Sequence, residues 1–181
     1  MPGSLTRIPF TEGLLAKVQG FQCGDEAWER EVSDWIKAPR GGGGAIDALE
    51  HGAEIWLYVT AEGDVVGFGS LAQATQRWPR FKDPPVTASV IPMLGVDRRF
   101  WGQPQGPPEE RYSSRILEDL IAEAHRHHQE RPILILYVHI DNRRAIRYYE
   151  RAGFTELHKP YTDKSTGRVY KRMALVLTPP T

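Results

Sequence analysis

The hydrophobic positions of the chain follow two periods, and their order predicts an α/β protein. Apolar residues at helical spacing, such as Trp28, Val32 and Ile36, indicate amphipathic helices, whereas the uninterrupted apolar run at 133–138 indicates a buried strand. In the first half of the chain the pattern predicts a strand at 4–8, a helix at 11–19, a helix capped by Asp25 that ends before Pro39, and a hairpin of strands at 55–60 and 65–71. In the second half it predicts a strand at 86–96, a helix that ends near His128, a strand at 133–138, a helix at 142–152, and strands at 154–157 and 169–177.

The middle of the chain determines the expected architecture. The strand at 86–96, the helix that follows it and the strand at 133–138 form a strand–helix–strand unit, in which the two strands run parallel. The earlier strands form an antiparallel hairpin, and the last two form another. Because there is no repeat and no second core pattern, we expect one domain over 1–181, with a mixed central sheet, a parallel crossover and flanking helices.

Composition narrows the class of protein. The 181 residues are 40% hydrophobic and 25% charged, which is typical of a globular domain and excludes a collagen, a coiled coil or a disordered tail. A single cysteine, no apolar run of about 20 residues and no secretion signal favour a cytoplasmic protein without a membrane span. Lys plus Arg and Asp plus Glu are both 23, so a nucleic-acid or membrane partner requires a local basic patch.

Two segments that could suggest a ligand site are better explained as ordinary surface structure. Gly41–Gly44 is followed by no Lys-Ser/Thr pair, so we expect a flexible surface loop and not a phosphate cradle. His125, His127 and His128 lie near a helix C-terminus, where cations are favoured, and neither a carboxylate nor a cysteine completes a metal site there. We therefore predict no metal.

The most informative segment is 141–154, which directly follows the buried strand at 133–138. On a helical wheel Ala145, Tyr149 and Ala152 share one face, whereas the arginines lie on the opposite face. On pattern alone this indicates a core tyrosine beneath a solvated basic face. The segment also reads Asn142-x-x-Ala-Ile-x-x-Tyr149-Glu-x-x-Gly-Phe, which resembles the second coenzyme A motif of the GNAT acetyltransferases.

Two further segments extend this resemblance over most of the chain. Leu94–Gly102 resembles the end of the fourth GNAT strand and the start of its pyrophosphate loop. Phe21–Glu26, followed by a helix ending Asp34-Trp35-Ile36, is similar to GNAT toxins of bacterial toxin–antitoxin pairs. A homodimer or a small protein partner is compatible with that likeness and with exposed sheet edges.

The resemblance implies direct acetyl transfer from acetyl-CoA to a primary amine, with the pantetheine arm between the strands at 86–96 and 133–138. It implies that Tyr149 is the general acid that protonates the departing thiolate. It also implies that backbone groups of Leu94 and Val96 bind the acetyl carbonyl and pantetheine. The cofactor-binding residues expected on this basis are Leu94, Gly95, Val96, Arg98, Arg99, Gly102, Ser113, Ser114, Asn142 and Ala145.

The chain departs from the family pattern in an extra Pro-rich loop at about 103–110. If a helix began at Glu109-Glu110, its acidic first turn would be a poor neighbour for a pyrophosphate. If the loop instead projects outward, Ser113 and Ser114 can cap the helix at the usual place, with Arg98, Arg99, Arg111 and Arg115 supplying positive charge. We favour the second arrangement.

The acceptor is constrained by the absence of Asp and Glu from 86–94, where some family members place a general base. Deprotonating a lysine at pH 7 costs about 4.6 kcal/mol, against roughly 1 kcal/mol for an α-amine. The α-amine of an aminoacyl-tRNA fits this constraint, although Glu54 or a water chain could act as the base.

Cations for tRNA contacts occur in two groups, one in the polar loop at 73–85 and one on the helix at 142–152. The two groups of cations are Arg77, Arg80 and Lys82, and Arg143, Arg144, Arg147 and Arg151.

Two alternatives to a tRNA acetyltransferase remain. They are a small-molecule or protein N-acetyltransferase and a noncatalytic binding module of the same fold.

Overall fold

The computed structural model describes residues 4–76, 85–105 and 107–177, and they form an α/β fold with mixed strand pairing. The chain divides into two compact units. The first comprises Met1–Ala72 and Met93–Ala122, and the second comprises Gln73–Pro92 and Glu123–Thr181. The predicted fold class is confirmed; that all of it is one domain stays a prediction.

The helices and strands follow the predicted order, with two additions, α2 and β8. The helices are α1 (Ala27–Lys37), α2 (Ala45–Glu50), α3 (Tyr112–His125) and α4 (Arg143–Arg151). The strands are β1 (Thr6–Pro9), β2 (Glu54–Val59), β3 (Val65–Gln76), β4 (Val86–Ile91), β5 (Leu94–Val96), β6 (Ile133–His139), β7 (Thr155–Glu156), β8 (Tyr161–Thr162) and β9 (Val169–Val176). Short 3₁₀ helices lie at Glu12–Val18, Arg98–Phe100 and Pro108–Glu110.

The first unit is antiparallel, with β1 on β2, β2 on β3 and β3 on β5. Its core forms where α1 packs on β3: the ring of Phe68 is fully buried, stacks on Trp35 at 5.8 Å and meets Phe21 edge-on at 5.5 Å. The β2–β3 turn contains Gly63 at φ +89°, a conformation that glycine adopts without steric cost. The helical stripe predicted for α1 therefore faces the core.

One prediction for the first unit needs correction. The N-cap of α1 is Glu26, not Asp25, because the side chains of Glu26 and Glu29 form a reciprocal capping box. The Gly41–Gly44 segment is a loop with Gly41–Gly43 exposed, as expected, and the Asp47 carboxylate accepts hydrogen bonds from the amides of Gly41 and Gly43 at 2.7 and 2.6 Å. These bonds hold the chain at the start of α2, a helix too short to give a helical period.

The second unit contains the parallel pair. β4 and β6 run parallel, with Val90 opposite Ile135, and β9 pairs antiparallel with β6, β7 and β8. The predicted parallel crossover is thus confirmed. One core cluster packs on one face of its sheet and consists of Ala88, Val90, Ile133, Ile135, Leu157 and Ala174. Leu134, Leu136 and Met173 are buried on the other face.

The apolar run at 86–96 is two strands, not one. It breaks at Pro92 and Met93, where Ser70 Oγ donates to the Met93 carbonyl and accepts from the Met93 amide. β4 pairs with both β3 and β6, whereas β5, after the break, pairs only with β3 in the described part of the chain. The sequence pattern could not show this loss of β6 as a neighbour, because both strands are apolar. No helix among the described residues is long and apolar enough to cross a bilayer.

Candidate active site

The edge of β5 that faces away from β3 exposes backbone groups. The amide of Asp97 donates to the Val66 carbonyl at 2.8 Å, and hydrogen-bonded pairs alternate along an antiparallel ladder. Phe68 and Gly95 are therefore the next bonded pair, and the N–H groups of Leu94 and Val96 point away from β3. Since β5 pairs with no other strand in the described part of the chain, this edge can bind an extended ligand.

Gly95 contributes to this edge by its small size. A Cβ atom there would lie 2.8 Å from Val32 Cγ1 and 3.0 Å from Phe68 Cε1, so a side chain would force α1 away from β5. Gly95 therefore lies on the core side of β5, where it packs against α1. The outward N–H groups of β5 belong to its two neighbours, Leu94 and Val96.

The turn after β5 is held by Asp97, a residue that the sequence interpretation did not single out. Its carboxylate is 1% exposed and accepts hydrogen bonds from the backbone amides of Gln22 and Arg99 and from the Arg99 guanidinium at 2.9 Å. Burial raises the pKa of the Asp97 carboxyl, but the hydrogen bonds from Arg99 and Gln22 outweigh burial, so this pKa lies below its usual value. Asp97 stays ionised and fixes the turn.

The two predicted arginines of this turn have protein partners. Arg99 is bound to Asp97, and it lines a cavity of about 330 Å³ together with Lys17 and Asp64. Arg98 is exposed and donates to the Asp25 carboxylate at 3.2 Å. Gly102 follows at φ +70°, with open space around it. Both arginines of the turn are therefore paired with carboxylates, so the turn carries no excess positive charge.

The Pro-rich loop closes at its base. The Tyr112 amide donates to the Gln103 carbonyl at 2.8 Å, which joins the two ends of the loop and places the start of α3 beside the end of the β5 turn. Within the loop, Pro108–Glu110 form an exposed 3₁₀ turn, and Ser114 Oγ donates to the Pro108 carbonyl at 2.7 Å. The α-helix begins at Tyr112 and not at Glu109.

The residue that caps α3 differs from the expected serines. The Arg115 amide donates to the Arg111 carbonyl at 3.1 Å, so Arg111 is the N-cap, and Ser113 and Ser114 are the second and third helical residues. The Nε atom of Arg111 is buried and has no hydrogen-bond partner among the described residues. A cation with an unused donor thus lies at the helix start, where anions are favoured.

The second unit carries the remaining predicted residues on α4. Asn142 is the N-cap of α4, and its Oδ1 accepts from the Ala145 amide at 3.1 Å, which leaves its side-chain N–H groups for other contacts. Tyr149 is half-buried; its ring meets Phe154 edge-on at 5.9 Å, and the Phe154 amide donates to its carbonyl. Packing on Phe154 fixes the direction of the tyrosine.

The surface of α4 follows the predicted wheel. Ile146 is buried and Ala145, Tyr149 and Ala152 are half-buried. The arginines at 143, 144, 147 and 151 are all exposed. The other predicted cation group, Arg77, Arg80 and Lys82, lies outside the described residues.

The zero net charge of the chain hides a strong segregation. The sequence of the second unit contains 14 Lys and Arg against 7 Asp and Glu, a formal charge of +7. The first unit contains 9 Lys and Arg against 16 Asp and Glu, a charge of −7. The second unit thus carries a positive excess charge of the kind that favours a polyanionic partner, and the four exposed arginines of α4 contribute to it. The net charge of the whole chain does not show this segregation, because the unit boundaries follow from the fold.

The structure groups the predicted residues by unit. Leu94, Gly95, Val96, Arg98, Arg99 and Gly102 form one continuous stretch in the first unit, and Ser113 and Ser114 follow the closed loop. Asn142, Ala145 and Tyr149 lie on or beside α4 in the second unit. Glu54, the suggested base, is exposed at the start of β2.

Comparison with known proteins identifies the family. The model of the Acetyltransferase (GNAT) family matches residues 21–154, which is most of the chain. No curated protein matches. Among solved structures, a bacterial toxin is similar at 17% identity and a TM-score of 0.68, covering 98% of this chain and 92% of the toxin.

Two further solved structures share the fold. AtaT complexed with acetyl-methionyl-tRNAfMet has 15% identity and a TM-score of 0.60, covering 92% of this chain and 94% of that one. The NatC complex bound to Gag peptide and CoA has 14% identity and a TM-score of 0.62, covering 97% and 99%. With the family match over both the β5 turn and the α4 motif, the chain belongs to the GNAT acetyltransferase family.

Proposed function

We propose that this N-acetyltransferase moves the acetyl group of acetyl-CoA to the α-amine of an aminoacyl-tRNA. The observation that carries the proposal is the charge of the second unit, which has twice as many cations as anions and exposes four arginines on α4. Each phosphate contact from such a cation adds affinity through counterion release, without need of a particular base sequence.

The chemistry of the acceptor side supports the same substrate. β4 has no Asp or Glu, so it offers no carboxylate to deprotonate a lysine amine. An α-amine needs far less help at neutral pH, because its pKa is about 7.7 to 8.0 against about 10.4 for lysine. The structural neighbour AtaT, complexed with acetyl-methionyl-tRNAfMet, gives a precedent for this acceptor on this fold.

The first unit has groups suited to acetyl-CoA, which supplies a thioester-activated acetyl group. The outward N–H groups of Leu94 and Val96 would hold the extended pantetheine arm and the acetyl oxygen. The start of α3 would hold the pyrophosphate, because first-turn amides favour anions and Arg111 has a buried donor with no acceptor among the described residues. Gly102, which has open space around it, would leave room for the cofactor to pass.

Tyr149 would serve as the general acid. As the amine nitrogen bonds to the acetyl carbon, the carbon–sulfur bond breaks, and the sulfur takes the proton of the Tyr149 hydroxyl. The amine loses its proton to solvent, and the tyrosine recovers one in turn. No covalent acyl-enzyme is needed, and the ring contact with Phe154 keeps the phenol in one direction.

A panel of acceptors tests the proposal, with release of free coenzyme A as the readout. We expect release with aminoacyl-tRNA and none above background with the same tRNA after deacylation. A peptide with a free N-terminus and a small primary amine are the rival acceptors. Faster turnover of either rival than of aminoacyl-tRNA would overturn the proposal, and absence of both turnover and acetyl-CoA binding would indicate a noncatalytic binding module.

A further inference from the structure

A ladder of aromatic side chains crosses β6, β9 and β8 in the second unit. The ring centroids of Tyr137 and Tyr161 are 5.5 Å apart, those of Tyr161 and Tyr170 are 5.8 Å apart in a stacked arrangement, and those of Tyr170 and His139 are 5.6 Å apart. The Arg172 guanidinium lies over Tyr137, 5.5 Å from its centroid. We call these five residues the aromatic ladder.

The aromatic ladder and α4 occupy opposite faces of the strands. Tyr137, Tyr170 and Arg172 alternate with residues of the other face, and Ala174 continues their own face into the core of the unit. Leu175 points the other way, and its Cδ1 lies 3.3 Å from the position of a Cβ on Gly153, at the end of α4. The helix therefore does not cover the ladder face. Tyr161 is 37% exposed there, and the other four ladder residues are half-buried.

The surroundings of the ladder are basic. The stretch from Glu156 to Arg172 carries five lysines and arginines against two acids, and one of those acids, Glu156, is paired with Lys171 at 3.0 Å. The Nε atom of Arg172 is buried and has no hydrogen-bond partner among the described residues. The aromatic ladder thus combines ring surfaces for stacking, a basic surrounding and, in Arg172, a hydrogen-bond donor with no acceptor among the described residues.

We propose that the aromatic ladder stacks the unpaired bases at the 3′ end of the acceptor RNA. The inference rests on the proposed function, since the amine to be acetylated would be esterified to that end. Aromatic rings stack on any base, and Arg172 adds a donor for a phosphate or base oxygen. The ladder would hold the single strand, and the lysines and arginines of the stretch from Glu156 to Arg172 would lie near its phosphates.

Charge favours RNA over a peptide on this face. A peptide acceptor would bring its own positive N-terminus to a unit of charge +7, which disfavours the encounter, whereas a polynucleotide is attracted. The stacking of Tyr161 on Tyr170 also presents a ring face of nucleobase size, which a peptide backbone does not require.

The test uses the full chain and two labelled RNA hairpins, one with a short unpaired 3′ end and one with a blunt end. We expect Tyr161→Leu to weaken binding of the hairpin with the unpaired end by at least about fivefold and to leave the blunt hairpin unchanged. Tyr161→Phe keeps the ring and should bind within about twofold of the wild type. Thr162→Ala, on the same strand but the opposite face, is the matched control.

The outcomes separate this inference from the function on which it rests. If the wild type acetylates aminoacyl-tRNA but Tyr161→Leu binds both hairpins like the wild type, the ladder has no role in RNA binding. If the wild type acetylates no RNA-borne amine, the proposed function is wrong, and the hairpin affinities still decide whether the ladder stacks bases. Loss of peptide acetylation without loss of RNA affinity, or a change of oligomeric state in Tyr161→Leu, would overturn the inference.

Discussion

Tyr149 carries the chemical step in this account, and its surroundings fit a positioned acid. The tyrosine is half-buried and packs on Phe154, so removing its hydroxyl changes little of the packing. Its identity was predictable from the sequence, because the Asn142–Phe154 motif and the helical wheel both place it on the inner face of α4. What the sequence could not show is the ring contact that fixes its direction.

We predict that Tyr149→Phe lowers turnover at least about tenfold, because the departing sulfur loses its proton donor. Acetyl-CoA affinity should stay near that of the wild type. Steady-state kinetics and calorimetric titration measure the two quantities. Tyr148→Phe, one position along the helix, is the matched control, and equal turnover of both variants and the wild type would remove Tyr149 from the acid role.

Asp97 is a positioning residue in this account, since it fixes the β5 turn through Arg99 and Gln22. We predict that Asp97→Asn lowers the free energy of unfolding by about 2 kcal/mol at pH 7, because hydrogen bonds to a buried charge are lost. Asp25→Asn, which removes only an exposed partner of Arg98, should lower it by less than about 1 kcal/mol. Denaturant unfolding compares the two, and equal losses would contradict the role given to Asp97.

The pKa of Asp97 also predicts a pH dependence. Its folded value lies below the unfolded value of about 3.9, so its stabilisation is complete above that pH and is lost as the pH falls through the folded pKa. The gap between the unfolding midpoints of the wild type and Asp97→Asn, measured between neutral pH and pH 3, should narrow once the pH falls below about 3.9. A constant gap down to the lowest pH would show that the charge does not matter.

At the scale of elements, most of the fold follows from periodicity, and the exceptions have physical causes. β6 and α4 are strongly patterned, so their bounds were predicted within one residue at each end. α2 was not predictable, because it has six residues and depends on the Asp47 bonds to glycine amides. β5 pairs with β3 but not with β6, after a break at which Ser70 bonds to the backbone of Met93. A polar residue in an apolar strand does not by itself indicate this role.

The Pro-rich loop gives an element-scale prediction. Gln103 and Tyr112 are joined by a backbone hydrogen bond at the loop base. Replacing Pro104–Glu110 with two glycines should therefore leave α3 folded and keep the acetyl-CoA affinity within about threefold of that of the wild type. Calorimetric titration with acetyl-CoA measures this. A large loss of affinity in a variant that melts like the wild type would show that the loop forms part of the cofactor site.

At the scale of the whole molecule, charge segregation is the feature that the composition concealed. A net charge of zero argues against a polyanionic partner only if the charges are evenly spread over the chain. Here the first unit has seven negative charges in excess and the second unit has seven positive charges in excess. The sequence contained every one of these charges. Their grouping follows from the fold, which places 73–92 and 123–181 in one compact unit.

The basic face of α4 should therefore govern RNA affinity and its salt dependence. We predict that the triple variant Arg143→Gln, Arg147→Gln and Arg151→Gln binds aminoacyl-tRNA at least about tenfold more weakly, with a shallower slope of log affinity against log salt concentration. Lys37→Gln, a cation of the acidic unit, should leave both unchanged. An unaltered salt slope in the triple variant would mean that α4 does not contact phosphates.

The most direct test of the account is to identify the acetylated product. Aminoacyl-tRNA is incubated with acetyl-CoA and the wild-type protein, the 3′-terminal aminoacyl-adenosine is released by ribonuclease, and its mass and fragmentation are recorded. We predict one acetyl group on the α-amine of the amino acid, at least about tenfold less abundant when Tyr149→Phe replaces the wild type over the same short time. An unmodified aminoacyl-adenosine, or acetyl found on a base of the RNA, would contradict it.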